Sequence, residues 1–190
     1  MTTGDGYHHG DLRRQLLAAA VDAIGDGGVA SVSLRDLARQ AGVSHAAPAH
    51  HFTNKTGLLT ALATQGFTLL ADALAAADSD LAEMGVAYVR FALDHPAHFR
   101  VMFDSDVLNN DDPELTAARA AARTQLHAGV GALSDANPLA PLAAWSLAHG
   151  FATLRLDGNL AGEGDPAAVF RTLTTMIFTG STPRQPDAGR

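Results

Sequence analysis

Residues 32 to 55 read VSLRDLARQAGVSHAAPAHHFTNK, two short helical segments separated by a glycine turn. Ser33 stands where an N-cap is needed and Asp36 follows at the spacing of a capping box, while Val32 and Leu37 hold the N′ and N4 positions of a hydrophobic staple. Leu34, Leu37, Ala38 and Ala41 recur at helical spacing until Gly42, where a positive φ ends a helix at little steric cost. Alanine at 38 leaves room for two helix backbones to cross closely. Val43 turns inward, and Ser44 can cap a second helix that carries His45, Ala46, Ala47, Pro48, Ala49, His50 and His51 before Phe52 returns to the core. This second helix is too short and too polar to stand alone, so its neighbours hold it and its outer face is presented outward. That is the pattern of a helix-turn-helix, whose second helix enters the major groove.

The pattern continues on both sides. Upstream, Leu12, Leu16, Leu17, Ala20, Val21 and Ile24 form one apolar stripe, stopped by Gly25, Gly27 and Gly28. Downstream, Asn54, Lys55, Thr56 and Gly57 lead into Leu58, Leu59, Leu62 and Phe67, the start of a longer apolar helix. The run HHGDLRRQLLAAAVDAIGDGGVASVSLRDLARQAGVSHAAPAHHFTNKTGLL resembles the DNA-binding domain of the TetR family of bacterial transcriptional regulators.

Nothing in the remainder reads as strand. Periodic apolar helices are expected over Leu58–Ala77, Leu81–Leu93, Ala97–Phe103, Pro113 to about Leu133, the segment holding Leu142 to Leu154, and Pro166–Phe178, with Asp104–Pro113 a loop and the last ten residues frayed. The fold class is all-α, with about nine helices. Residues 1–55 form a three-helix DNA-binding domain and 56–190 a helical effector-binding and dimerisation domain. At this length the chain can bury about 70% of its unfolded surface.

The formal net charge is −7, which is unexpected for a partner of an anionic polymer. Its distribution resolves the difficulty. Over residues 1–55, Asp5, Asp11, Asp22, Asp26 and Asp36 balance Arg13, Arg14, Arg35, Arg39 and Lys55, so the deficit lies in the part not expected to touch DNA. Lys55 is the one lysine of the chain, leaving phosphate contacts mostly to arginines, hydroxyls and backbone N–H groups. With no cysteine, disulfides, thiolate metal sites and cysteine nucleophiles are excluded. No signal sequence and no apolar run of roughly 20 residues is evident, which points to a cytoplasmic protein.

YVRFALDHPAHFRVMF and WSLAHGFATLRLDG resemble the WHG-type C-terminal domain of a TetR subgroup, its hallmark falling on Trp145, His149 and Gly150. The family resemblance implies a homodimer built on the last two long helices, with Leu142, Ser146, Thr153, Phe170, Leu173, Thr174 and Ile177 at the interface. Those helices also look apolar on more than one face. The resemblance places Ser33 and Lys55 on phosphate and Arg35 on a guanine edge or phosphate. It puts Ser44, His45 and Ala46 at the groove-facing N-terminus, and His50 and His51 near the backbone. Ala49 departs from the family, which commonly carries a tyrosine there, and Pro48 is expected to remove a hydrogen bond and distort the helix.

Candidate effector-binding residues are Phe67, Leu70, Tyr88, Phe91, Phe99, Met102, Phe103, Trp145, His149 and Phe151, a lining suited to a small apolar or aromatic effector. By resemblance, the effector releases a repressor from a palindromic operator. The alternative is a helical dimeric module that binds ligand or protein and has lost specific DNA binding. His95, His98, His127 and His149 are considered as a metal set, but His95 before Pro96 suits a helix cap, and no metal or cofactor is expected. No phosphate loop, nucleophile elbow or His-Glu metal motif occurs, which argues against an enzyme.

Overall fold

The computed structural model describes residues 5–77, 80–129 and 138–179, and among these it forms nine α-helices and no strand. The helices are α1 (Asp5–Gly27), α2 (Leu34–Gln40), α3 (Ala47–Phe52), α4 (Lys55–Ala75), α5 (Leu81–Asp94), α6 (Pro96–Met102), α7 (Pro113–Gly129), α8 (Ala140–Leu156) and α9 (Pro166–Thr174). A π-helical turn, Thr175–Thr179, extends α9. The expected end of α7 near Leu133 and the fraying of the last ten residues lie outside the described residues.

The chain divides into two compact units. One holds residues up to Asp72 together with Asp94–Arg123; the other holds Ala73–Leu93 and Thr124 onward. Their borders fall inside α4 and α7, so the helix-turn-helix clusters with most of α4 and with α6. These compact units divide the chain differently from the domains of 1–55 and 56–190 expected from the sequence.

In the first unit, Leu16, Leu17, Ala20 and Ile24 of α1 are buried with Leu37 and Ala38 of α2, Phe52 of α3 and Leu58, Leu59 and Leu62 of α4. α2 starts as its sequence dictates: the Ser33 hydroxyl oxygen accepts from Asp36 N–H at 3.4 Å, and Val32 and Leu37 are both buried. The Asp36 carboxylate pairs with Arg39 at 3.0 Å. α2 ends in a Schellman turn, with Gly42 at φ 67°. Gly42 N–H donates to Arg39 C=O at 3.2 Å and Val43 N–H to Ala38 C=O at 3.0 Å.

α3 corrects two expectations. It begins at Ala47 instead of His45 after a Ser44 cap, with Ser44–Ala46 forming a turn whose carbonyls at Ser44 and Ala46 accept from Ala47 and Ala49 at 3.0 and 3.1 Å. Pro48 therefore falls in the first turn, where its missing N–H would have had no helical partner, and it is buried. No helix hydrogen bond is lost to it.

The junction from α3 to α4 is the tightest place in this unit. Thr53 ends α3 with φ 64° and donates its N–H to Ala49 C=O at 3.0 Å. Asn54 then caps α4, its side-chain oxygen accepting from Gly57 N–H at 2.9 Å. A Cβ on Gly57 would stand 1.9 Å from the Phe52 carbonyl oxygen. Within α4, the hydroxyls of Thr60, Thr64 and Thr68 each donate to the carbonyl four residues back, at 2.7, 2.9 and 3.0 Å. Contrary to the sequence expectation, the 21 residues of α4 are long and apolar enough to cross a membrane, but half of the apolar window is buried in the protein.

In the second unit, Met84, Val86, Tyr88, Val89 and Phe91 of α5 are buried with Phe151 of α8 and Phe170 of α9. The Phe170 ring lies over Gly85, where a Cβ would come within 2.2 Å of it. Arg171 donates to both carboxylate oxygens of Glu83, at 2.5 and 3.0 Å, and holds that carboxyl below its ordinary range.

Gly57→Ala should lower the unfolding free energy by about 2 kcal/mol or more, because backbone must move to admit the methyl. Gly25→Ala has nothing within 4 Å of its new methyl and should raise it by about 0.5 kcal/mol through helix propensity. Urea denaturation of the two variants checks both signs.

Candidate nucleic-acid interface and internal polar sites

Packing alone decides which face of α3 is presented. Pro48 and Phe52 point into the unit, while Ser44, His45, Ala46, Ala49 and His50 are exposed, as is Arg35 on α2. Ser33, His51 and Lys55 are half-buried. The Ser33 oxygen serves as a cap acceptor, which does not consume its hydroxyl proton. Lys55 is more engaged than expected: its Nζ donates to Ala30 C=O at 3.0 Å, tying the start of α4 to the turn after α1 and leaving two ammonium protons. The Arg13 guanidinium lies 5.5 Å from the centre of the Phe52 ring. Sequence reading missed Arg13, Asn54 and Gly57. The signal for the latter two was the Asn-x-x-Gly spacing of a capped helix start.

The expected effector-binding residues fall into two groups. In the first unit, Phe103 lies edge-on to Phe67 at 5.7 Å and to Phe99 at 5.2 Å, and Leu70 and Met102 are buried. Met102 closes over Gly66, where a Cβ would meet its sulfur at 2.6 Å. In the second unit, Tyr88 is fully buried, and its hydroxyl accepts from Trp145 Nε1–H at 3.3 Å and lies 3.0 Å from His149 Nδ1. The direction of the bond between the phenol and Nδ1 follows the His149 tautomer. Burial pushes the Tyr88 phenol well above its ordinary range and the His149 imidazole below its own. A cavity of about 30 Å³ beside Tyr88, Trp145 and Phe170 has room for about one water molecule. Phe91 and Phe151 are buried in the same unit.

A larger cavity, about 780 Å³, lies in the first unit. Of the expected site residues only His51 lines it; the rest of the wall is Arg13, Phe52, the α3–α4 junction, the threonines of α4 and the loop before α7.

Residues 16–62 match the family described as "Bacterial regulatory proteins, tetR family", and residues 81–177 match "Tetracyclin repressor-like, C-terminal domain". The chain belongs to the TetR family. The HTH-type transcriptional regulator BetI of Cronobacter sakazakii is 30% identical to it over 180 residues, covering 87% of this chain and 88% of that one. A Rhodococcus sp. RHA1 structure described as a protein with unknown function is 34% identical, with a TM-score of 0.74 and coverage of 93% and 98%. The TetR family transcriptional regulator PfmR of Thermus thermophilus shares the fold, at 22% identity and a TM-score of 0.63, over 87% of this chain and 97% of that one. The family and the BetI relative are transcriptional regulators and not enzymes.

Within this TetR-family chain, Leu142, Ser146 and Ile177 are exposed and Thr153 and Leu173 half-buried. Phe170 and Thr174, expected at a dimer interface, are instead buried in their own unit. Phe170 packs on Phe151 at 5.5 Å, and the Thr174 hydroxyl donates to Phe170 C=O at 3.0 Å. The apolar surface continues through Leu139, Trp145, Leu154 and Met176, which are all exposed. No group of three or more His, Asp or Glu is placed to hold a metal among the described residues. His98 is buried, with Nε2 3.4 Å from Gln65 Oε1 and Nδ1 without a partner, and burial followed by the neighbouring His95 lowers its pKa.

His98 and His149 both bind protons less readily folded than unfolded. Below the ordinary imidazole value of about 6.5 the unfolded chain takes up protons first, so stability holds above that pH and declines as pH falls through it. Urea midpoints across this range should show the decline, flattened in a His98→Gln/His149→Gln variant. Tyr88→Phe removes the hydroxyl that meets Trp145 Nε1 and His149 Nδ1 and should cost about 0.5–1.5 kcal/mol in the same assay.

Proposed function

We propose that this TetR-family regulator is a cytoplasmic homodimeric repressor that leaves a palindromic operator when a small apolar or aromatic effector binds. The carrying observation is the division of α3 into a buried side, Pro48 and Phe52, and an exposed side with Ser44, His45, Ala46, Ala49 and His50 on it or in the preceding turn. That exposed side meets base edges, with Arg35 reaching a guanine or phosphate and Ser33, His51 and Lys55 contacting phosphate. Residues 1–55 read DNA, and 56–190 bind effector and form the dimer.

The dimer reading is supported by the exposed apolar side chains Leu139, Leu142, Leu154, Met176 and Ile177 on and around α8 and α9. Gly150 adds to it: among the described residues nothing from another element lies within 4 Å of where its Cβ would stand. Trp145 and His149, four apart on α8, hold the Tyr88 hydroxyl, which gives two positions of the WHG hallmark a shared structural role. A twofold dimer presents its recognition helices about 34–36 Å apart or at a longer helical repeat. An effector acts at one of the two aromatic groups, Phe67, Phe99 and Phe103 within the first unit or Tyr88, Phe91, Trp145, His149 and Phe151 within the second. It shifts DNA affinity by a coupling of about 1–3 kcal/mol.

Selection of bound fragments from a random DNA pool by the full chain should recover a palindrome, and Arg35→Ala should weaken binding to it by about 1–3 kcal/mol. No enrichment by a folded dimer would favour the alternative, a helical module that binds ligand or protein without specific DNA recognition. Sedimentation at micromolar concentration should give a dimer, dissociated by Leu142→Asp/Ile177→Asp; a monomeric wild type would end the dimer reading.

A further inference from the structure

We propose that the cavity of about 780 Å³ in the first unit binds a small polyhydroxylated molecule of the sugar or sugar-alcohol class. Its size is that of small-molecule sites in general. Its chemistry is unlike that of the aromatic set. The wall mixes hydrogen-bond donors and acceptors and has no dominant sign: Arg13 opposes Asp112 and Glu114, which mismatches both a compact anion and a polycation.

The hydrogen bonds already made define what is left to offer. The Thr64 hydroxyl proton is spent on Thr60 C=O, so toward a ligand Thr64 presents an acceptor oxygen. Asn54 uses its carbonyl oxygen to cap α4, leaving its NH₂ as a donor. Asp112 caps α7 through Oδ1, accepting from Leu115 N–H at 3.0 Å, and keeps Oδ2 as an acceptor. Arg13, held against the Phe52 ring, contributes planar N–H donors. Each ligand hydroxyl both donates and accepts, so a molecule made of hydroxyls satisfies a wall of this kind where a purely cationic or anionic one does not.

The wall is also drawn from several segments packed around the start of α4. Arg13 belongs to α1, His51 to α3, Asn54 to the junction, Thr64 to α4, and Asp112 and Glu114 to the start of α7. The floor is already cross-linked: Thr60, itself buried, accepts from Asn109 N–H at 2.9 Å. A bound polyol that bridges these segments fixes the angle at which α3 is carried. This second effect rests on the DNA-binding reading above, whereas the binding itself does not.

The test uses the full chain in thermal-shift and calorimetric titrations with D-glucose, D-ribose, D-mannitol and myo-inositol at about 20 mM each, with spermidine and inorganic phosphate as charged probes. At least one polyol should raise the melting temperature by several degrees. Thr64→Val and Glu114→Ala, each melting near the wild-type temperature without ligand, should weaken that binding about tenfold, a loss of about 1.4 kcal/mol. Arg90→Ala, an exposed change in the other unit, should not. The proposal is overturned if none of the four polyols shifts the melting temperature, if only spermidine or phosphate does, or if both cavity variants bind as the wild type does. A chain that selects no DNA yet still binds a polyol separates failure of the operator reading from failure of this one.

Discussion

The approach of the Phe52 carbonyl to Gly57 governs how the first unit is put together. A side chain at 57 would collide with that oxygen, so α4 starts against the end of α3 with no room between them. The turn is made by a non-glycine residue with positive φ, Thr53, and sealed by the Asn54 cap. The positive φ of Thr53 costs free energy relative to relaxed backbone, and the Asn54 cap together with the buried apolar residues on either side, Phe52, Leu58, Leu59 and Leu62, offsets it.

Much of this was legible from residues 32 to 55, because the devices that start and stop α2 are local. A cap acceptor, a staple pair and a glycine with positive φ each need only four or five neighbouring residues. The start of α3 was harder to read. Ser44 is a sound N-cap by residue type, but Pro48 is better placed in a first turn than in a second, and the proline decided. The outward face of α3 followed from the same local pattern, since Phe52 had to return to the core.

What escaped sequence reading depends on long-range packing. Phe170 and Thr174 sit on an amphipathic helix whose apolar stripe serves its own unit as readily as a partner. Only the contact of Phe170 with Gly85 and Phe151, remote in sequence, assigns the stripe to the interior. Lys55 looked like a phosphate ligand, and nothing local announced that a carbonyl 25 residues earlier would take one of its protons. Which of the aromatic positions would sit together was not readable. The polar cavity was invisible for the same reason: its wall is assembled from α1, α3, α4 and the start of α7, and none of its residues is unusual alone.

Trp145 is the only tryptophan in the sequence, and its position gives it a use of its own. Its indole N–H is bound to the Tyr88 oxygen, its ring centre lies 5.7 Å from that of His149, and two-fifths of its surface is exposed on an apolar face. Imidazolium quenches indole emission more strongly than neutral imidazole does, and covering the exposed edge moves that emission to the blue. The protein therefore carries a built-in fluorophore reporting from a single corner, without labelling, on the protonation of its neighbour and on whatever comes to lie against α8.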